Sequence, residues 1–393
     1  MPRRSEVGLI YACGLVQGLA LVTFPAASSI FTSPGGFGFS ASRYGMMFIP
    51  QVVLAILASS LGPRLARRWT LKRVLQAGLG ADVCAMTLLA VSRLLIDHPG
   101  AAYGMLLVAT GSLGFGFGAT IMSLNTFAQK YSPGREDRSV LALNALLGAG
   151  TALAPLFVAV FIGAGAWWLM PLMVAVALSG LLLLSAKQPL DVPGDAAAGV
   201  SRSEGLPRRF WLFAAAVLLY GVAETLNGNW SGPFLTGERG VSVRGASLAL
   251  MTFWAMVTIG RVLFAIVSSR MTVRWIYAGL PVLLIAAFQV VAHAGGEAGS
   301  IAAMGFAGLG CSAFFPLCIS LSGQECPGLA AAMSGGLVAF YQAGYGVAAF
   351  GVGPLKEFAG LPFRTIYSLG SVVAAAMFAV ALAVAAHRGK VDA

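Results

Sequence analysis

Two acidic residues, Asp82 and Glu224, lie well inside long apolar stretches of the sequence. A charged side chain at the centre of a bilayer costs about 2.5–3.5 kcal/mol on insertion scales. Such a group needs a partner, a water-filled cavity or a proton, because burial disfavours the charged form of a carboxyl. The chemistry that these two side chains offer is therefore the loading and release of a proton.

Glu224 belongs to a polar stripe in the segment "LLYGVAETLNGNWSGPF" (218–234). Tyr220, Glu224, Asn227 and Ser231 recur at i, i+4, i+7 and i+11, which aligns them along one face of a helix. A polar stripe on a membrane helix is expected to line an aqueous path, since lipid offers it no partners. The alternative is a neutral glutamic acid whose hydrogen bonds only hold helices together.

Arg261 and Asp82 are the other charged candidates inside the apolar stretches. At a rise of about 1.5 Å per residue, Arg261 and Glu224 differ in depth by about 8–10 Å. A direct ion pair would therefore form in one conformation and be strained in another, which suits a switch. The alternative is an arginine that extends to the interface. For Asp82, packing against a neighbouring helix is favoured over a role in coupling.

These residues must be positioned by membrane helices, because 58% of the 393 residues are hydrophobic and only 10% are charged. About 20 apolar residues cross the hydrocarbon core, and twelve such windows can be counted. We expect an all-α polytopic membrane protein. The predicted spans are 8–30, 44–63, 73–93, 101–126, 139–163, 166–186, 210–235, 243–268, 275–294, 299–321, 328–353 and 364–387.

The longest polar break predicts a cytoplasmic linker at 187–209, between six-helix bundles at 1–186 and 210–393. With the N-terminus inside, 18 Lys and Arg residues fall on the cytoplasmic side and 6 outside, so both termini are predicted to be cytoplasmic. The first apolar stretch could be a cleaved secretory signal. Gln17 and the eleven further spans favour a retained first helix. The net charge of +11 then reflects topology and not nucleic-acid binding.

The two halves repeat three short patterns in the same order, at offsets of 194 to 207 residues. "CGLVQG" (13–18) aligns with "YGVAET" (220–225), which pairs Gln17 with Glu224. "RWTLK" aligns with "RMTVR", and "GSLGFGFG" with "GFAGLG". The repeats predict two pseudo-symmetric six-helix bundles, with a substrate site between them near the bilayer midplane.

The chain resembles the major facilitator superfamily over its whole length. The segment "GPRLARRWTLKR" (62–73) is similar to the signature loop of the family, although Ala66 stands where the family has Asp and Trp69 where it has Gly. The resemblance implies a conformational or charge-pair role for Arg67 and Arg68. It also implies that Gln17 and Asn125 lie on cavity helices.

Two narrower likenesses imply opposite directions of transport. "YGVAETLNGNW" and "FWAMVTIGRVLFAIVSSR" look like the fucose permease-like branch of sugar–proton symporters. "GAGTALAP" (148–155) is similar to the antiporter motif of the family, with Ala154 replacing a glycine. Uptake of a sugar-like solute is the favoured reading, and proton-driven efflux of drugs or metabolites is the alternative.

Amides and aromatic rings inside the predicted spans are candidates for solute binding, because they combine flat apolar faces with hydrogen-bonding groups. For any one of them, an interhelical hydrogen bond is the simpler reading. The candidates are Gln17, Asn125, Asn144, Tyr220, Asn227, Trp254, Tyr341 and Tyr345.

Together these features predict a secondary active transporter that works by alternating access in the cytoplasmic (inner) membrane, with Glu224 as the proton-coupling group. A membrane enzyme is disfavoured because His98, His293 and His387 lie at span ends on opposite sides. A receptor is disfavoured because no soluble sensing domain is visible. No ATP-binding loop, metal site or cofactor is expected. The proton gradient supplies the energy, with sodium left open, and the chain should work as a monomer on a small-molecule substrate.

Overall fold

The computed structural model describes residues 3–132, 136–190, 207–267, 272–325 and 330–386. These residues form α-helices and one short 3-10 helix, with no β-strand in the described ranges. The chain divides into two compact units, 1–198 and 199–393. Most of the predicted linker 187–209, from 191 to 206, lies outside the described residues.

Within the described residues the first unit contains eight α-helices, and the bounds of the six long ones lie within a few residues of the apolar windows of the sequence. A 3-10 helix at Ser92–Leu95 follows α5. The helices are α1 (Arg4–Ala26), α2 (Ser28–Thr32), α3 (Ala41–Met46), α4 (Ile49–Arg68), α5 (Leu71–Val91), α6 (Pro99–Lys130), α7 (Glu136–Gly163) and α8 (Leu169–Lys187).

The second unit contains seven α-helices within the described residues. They are α9 (Phe210–Gly237), α10 (Val243–Val267), α11 (Val273–His293), α12 (Gly296–Cys311), α13 (Phe314–Glu325), α14 (Ala330–Glu357) and α15 (Phe363–Ala386).

Eleven spans in the described part of the chain are long and apolar enough to cross a membrane, which makes this a multi-pass membrane protein. The predicted span 328–353 coincides with α14, a 28-residue helix outside that set of eleven. Three predicted spans are interrupted helices: α1 with α2, α3 with α4, and α12 with α13. The orientation of the termini stays a prediction.

The same pairs of helices pack together inside each unit. In the first unit α1 packs against α7, α4 against α6, and α5 against α8; the corresponding pairs in the second unit are α9 with α14, α10 with α12, and α11 with α15. Glycines let the backbones approach: a Cβ at Gly18 would lie 3.0 Å from the Thr151 nitrogen, and one at Gly150 would lie 2.9 Å from the Leu19 nitrogen. Close contact at small residues is the usual way in which membrane helices associate.

Beyond the end of α9, Glu238 joins three helices of the second unit. Its carboxylate pairs with Lys356 of α14 and accepts hydrogen bonds from the backbone N–H groups of Phe363 (2.8 Å) and Arg364 (3.2 Å) at the start of α15. Burial alone would raise the pKa of this carboxyl, but these hydrogen bonds outweigh it and lower the pKa. The junction thereby supplies partners for free N–H groups at a helix N-terminus.

Candidate functional site

The Glu224 carboxyl lies inside the second unit, where two tyrosines hold it. Glu224 is 5% exposed, and its Oε1 accepts a hydrogen bond of 2.5 Å from the hydroxyl of Tyr220, one turn earlier on α9. Its Oε2 accepts a hydrogen bond from the hydroxyl of Tyr341 on α14. Among the ion pairs of the described residues, none involves Glu224. The carboxyl is therefore held by neutral donors.

Two glycines set the distance between α9 and α14 at this point. A Cβ on Gly221 would lie 2.5 Å from the carbonyl oxygen of Tyr341. On the other helix, a Cβ on Gly344 would overlap the carbonyl of Leu218. The two backbones are thus in direct contact, and this contact brings the Tyr341 hydroxyl within reach of Glu224.

A break between α12 and α13 supplies the other side of the site. The last carbonyls of a helix have no intrahelical partner, and Pro316 has no N–H to offer to the carbonyl four residues earlier, at Ser312. Side chains of other helices approach these two carbonyls in place of backbone donors. The Tyr220 hydroxyl lies 3.0 Å from the Cys311 carbonyl oxygen, and Arg261 Nε of α10 donates to the Ser312 carbonyl at 3.1 Å. Arg261 thus binds the helix break in this structure, and its charge also acts on the Glu224 carboxyl without a direct ion pair.

The Tyr220 hydroxyl has two acceptors but only one proton. It lies within hydrogen-bonding distance of both Glu224 Oε1 and the Cys311 carbonyl. An ionised Glu224 only accepts, whereas a protonated one carries an O–H that it can donate. Hence the protonation state of Glu224 decides whether Tyr220 can donate to the carbonyl at the helix break.

Aromatic rings enclose this network. The Tyr220 ring stacks on Phe314 and Phe315, with centroids 5.6 and 6.1 Å away, and Tyr341 lies 5.2 Å from Phe315. Tyr220 is 1% exposed, whereas Tyr341 and Phe315 are partly exposed. The carboxyl is therefore shielded on one side and lies close to an accessible surface of the unit on the other.

The remaining candidates of the second unit lie on α9 or on the helices α10 and α14 that pack against it. Tyr345 accepts a hydrogen bond of 3.0 Å from Asn229, and the Trp254 ring packs against Gly228, 3.2 Å from where a Cβ would be. Asn227 is fully buried and donates to the Ala223 carbonyl of its own helix at 3.0 Å. Tyr345 and Trp254 are partly exposed, so they can contact a solute without rearrangement of the unit.

In the first unit the candidates are spread over several helices. Gln17 of α1 is fully buried and lies beside Asp82 of α5. Asn125 and Asn144 are partly exposed, and Asn144 donates to the Val140 carbonyl on its own helix at 2.9 Å. Arg68 is exposed at the end of α4; the side chain of Arg67 lies outside the described residues.

The helix break and the carbonyls of Cys311 and Ser312 were not predicted as parts of the site. Pro316 in "GCSAFFP" was the available signal, because a proline predicts a missing backbone donor four residues earlier. The Thr120 hydroxyl beside Asp82 was also missed. No spacing along the chain could have found Thr120, since it lies on a different helix from Asp82.

This arrangement of paired helices in two units is the fold of the major facilitator superfamily of transporters, as the sequence resemblance predicted. Solved structures with this fold align over almost the whole chain, and they imply a two-domain architecture of twelve helices.

A nucleoside transporter (NupG) aligns with a TM-score of 0.75 at 13% identity, covering 96% of this chain and 98% of its own. A D-xylose–proton symporter aligns with a TM-score of 0.75 at 13% identity, covering 97% and 96%. The E. coli fucose:proton symporter FucP aligns with a TM-score of 0.63 at 17% identity, covering 97% of each chain. No protein-family model matches the sequence, and no curated protein sequence matches it. The likeness therefore lies in the fold.

Proposed function

We propose that this protein is a secondary active transporter that couples the movement of a small polar solute to a proton carried by Glu224. The observation that carries the proposal is the buried Glu224 carboxyl, which neutral tyrosine hydroxyls on two helices hold inside an apolar unit. The fold supports it, because the solved structures that share the fold include a sugar–proton symporter and a nucleoside transporter.

A single proton on Glu224 changes the hydrogen bonds of α9. When Glu224 is ionised, both tyrosine hydroxyls donate to it, and the Cys311 carbonyl loses the Tyr220 proton. When Glu224 is protonated, its O–H donates to one hydroxyl, and Tyr220 is free to donate to Cys311. A buried carbonyl without a donor costs about 1–3 kcal/mol. Protonation thus favours the structure in which α9 is tied to the helix break.

The break between α12 and α13 is the element that we expect this change of hydrogen bonds to move. Its geometry depends on side-chain donors from α9 and α10 instead of a continuous helical ladder. Protonation of Glu224 changes one of these two donors and leaves Arg261 in place. Alternating access requires an element that has two conformations, and binding of the coupling ion must shift the equilibrium between them.

The solute that fits the neighbouring side chains is polar and sugar-like. Tyr341, Tyr345 and Trp254 offer partly exposed aromatic faces, and the buried Asn229 amide holds the Tyr345 hydroxyl in place. Flat rings with a few amides are the usual lining of small polar-ligand sites. Asn125 and Asn144 stay candidates for the same role.

The test is proton movement across proteoliposomes that hold the purified chain, followed with a pH dye in the outer medium. Pools of sugars, nucleosides, organic acids and cationic drugs are added outside, with wild type and Glu224→Gln in parallel. We expect alkalinisation outside with the sugar pool, and its complete loss in Glu224→Gln. Glu297→Gln is the matched control, because the same substitution is made at an exposed glutamate, and it should retain the signal.

The sign of the signal separates the two directions of transport. Acidification outside, driven by the drug pool, would replace symport by the antiport that "GAGTALAP" suggests. Uptake of a labelled solute that requires sodium and produces no pH change would assign the coupling to sodium. Proton-driven uptake that survives Glu224→Gln would refute the role of Glu224.

A further inference from the structure

The first unit contains a second buried carboxyl that the proposed function does not use. Asp82 lies near the middle of α5 and is fully buried. Helix α5 packs against α6 and α8. Beside the carboxyl lie the side chains of Gln17 on α1 and Thr120 on α6, and both are fully buried as well. Three helices therefore converge on one acid.

The polar atoms of this cluster lack hydrogen-bond partners. Neither oxygen of Asp82, neither polar atom of Gln17 nor the Thr120 hydroxyl makes a hydrogen bond of acceptable geometry. Buried polar groups are nearly always satisfied in folded proteins, and each exception calls for an explanation. Gln17 and Thr120 lie close enough to Asp82 to exchange hydrogen bonds with it after small rotations.

The space for the carboxyl is made by glycine. A Cβ on Gly116 of α6 would overlap the Asp82 carboxyl, so this acid fits only because residue 116 has no side chain. Gly78, one turn before Asp82, leaves room in the same way for Thr120: a Cβ there would lie 3.0 Å from the Thr120 nitrogen. The Asp82 carboxyl thus fits into a space between α5 and α6 that the two glycines leave open.

Gln17 and Thr120 can form hydrogen bonds with both the ionised and the protonated form of Asp82. An ionised Asp82 can accept from the Gln17 amide N–H and from the Thr120 hydroxyl, and a protonated Asp82 can donate its O–H to the Gln17 carbonyl oxygen. An amide and a hydroxyl make this exchange with small rotations. A bare buried carboxylate is very costly, so the protonated form is the one that such a site stabilises when it is closed.

We propose that Asp82, Gln17 and Thr120 form a second proton-binding site, located in the first unit and independent of Glu224. The proton arrives from water and binds one Asp82 oxygen, and the Gln17 carbonyl accepts the new O–H. Because all three side chains are closed to solvent in this structure, exchange with water requires α1, α5 and α6 to separate. The site therefore holds its proton occluded.

Few other charges act on this site. Among the described residues, Cys13 of α1, fully buried and one turn before Gln17, is the ionisable group that interacts with Asp82. On α5 the exposed Cys84 and, nine positions before Asp82, Arg73 are the nearest ionisable groups. In sequence, α6 has none between Tyr103 and Lys130, α8 none before Lys187, and α4 none before Arg64.

The test is infrared difference spectroscopy of the purified full-length chain, titrated from acid to alkaline pH without substrate. A protonated carboxyl in an apolar site gives its own C=O stretching band. We expect one such band to vanish in Asp82→Asn and to remain in Glu224→Gln. Because transport is not measured, the result does not depend on whether the proposed function holds.

Two conservative variants keep the test decisive if Asp82→Asn does not fold. Thr120→Val is nearly isosteric and removes one donor, and Gln17→Met removes the amide. Each should shift the frequency of the Asp82 band and the pH at which it disappears. A band unaltered in both variants, or present unchanged in Asp82→Asn, would overturn the proposal.

A sodium comparison separates a proton site from a cation site with the same oxygens. The titration is repeated in sodium chloride and in choline chloride at equal ionic strength. The band of Asp82 should disappear at the same pH in both salts. A midpoint displaced by sodium would replace the proton site by a sodium site.

Discussion

The buried acids of the two units are held in opposite ways. In the second unit, Glu224 accepts hydrogen bonds from two tyrosines that lie on adjacent helices. In the first unit, Asp82 lies between Gln17 and Thr120 with no completed hydrogen bond. The repeat aligns Gln17 with Glu224, so the acid of the first unit lies on α5, a different helix from its counterpart. The two units share the pairing of their helices but not the position of the carboxyl.

This difference shows which interactions each unit depends on. In the second unit, two tyrosine hydroxyls hold the acid, and one of them also lies within hydrogen-bonding distance of the carbonyl at a helix break. The first unit places its acid beside an amide and a hydroxyl from two other helices, and none of these groups makes a hydrogen bond of good geometry. Substitutions at the two sites should therefore have unequal effects.

The largest effect is expected from a side chain that forces α9 and α14 apart. Gly344→Leu places a side chain where the Leu218 carbonyl lies, so the helices must separate and Tyr341 moves away from Glu224. We expect a loss of about 3 kcal/mol or more in unfolding free energy, since overpacking of a tight core usually costs about 1–3 kcal/mol. Equilibrium unfolding in detergent micelles measures it.

Gly351→Leu is the matched control, because it lies on the same helix with nothing within 4 Å of a Cβ. It should fold and unfold like the wild type. Equal stability of the Gly344 and Gly351 variants would show that the α9–α14 contact does not position Tyr341.

An intermediate effect is expected when the two acid sites each lose one hydroxyl. Tyr341→Phe removes a donor from Glu224 and should cost about 1–3 kcal/mol, the value for a hydrogen bond to a charged or buried group. Thr120→Val removes a buried hydroxyl that makes no hydrogen bond in this structure, so stability should stay the same or rise. The same unfolding assay at neutral pH measures both. Similar losses in the two variants would remove the contrast between the sites.

The smallest effect is expected at Glu238, an acid that lies outside the membrane and is fully partnered. Glu238→Gln should cost about 0.2–1 kcal/mol at neutral pH, as for an ion pair near the surface. Because the folded-state pKa is lowered, this stabilisation is complete above the ordinary glutamate pKa, about 4.3, and is lost as the pH falls through the folded-state pKa.

Thermal unfolding of wild type and Glu238→Gln over a range of pH tests this sign. The difference in stability should be constant near neutral pH and should close in acid. A difference that widens as the pH falls would mean that the carboxyl is not stabilised in its ionised form.

Helix positions could be predicted because span length and apolar content are local properties. The predicted span 210–235 is observed as Phe210–Gly237, and 364–387 as Phe363–Ala386. The polar stripe on α9 could also be predicted from the sequence, because 3.6-residue periodicity aligns Tyr220 with Glu224. Their hydrogen bond follows directly from that spacing.

The partners of the charged groups could not be read from the sequence. Depth along the helices made an ion pair of Arg261 with Glu224 feasible, yet Arg261 donates to the Ser312 carbonyl, which Pro316 leaves without a helical donor. Likewise, Tyr341 and Thr120 reach their acids from other helices.

The sequence by itself determined that the chain crosses the membrane many times, where its helices lie and which two acids lie well inside apolar helices. Hydrophobic length and helical period are properties of a single segment, so they need no knowledge of neighbours. Only the tertiary structure decided that Glu224 is held by two tyrosines while Asp82 lies without a completed hydrogen bond. Those contacts depend on how closely glycines let the helices approach, and that distance is set jointly by residues far apart in the chain.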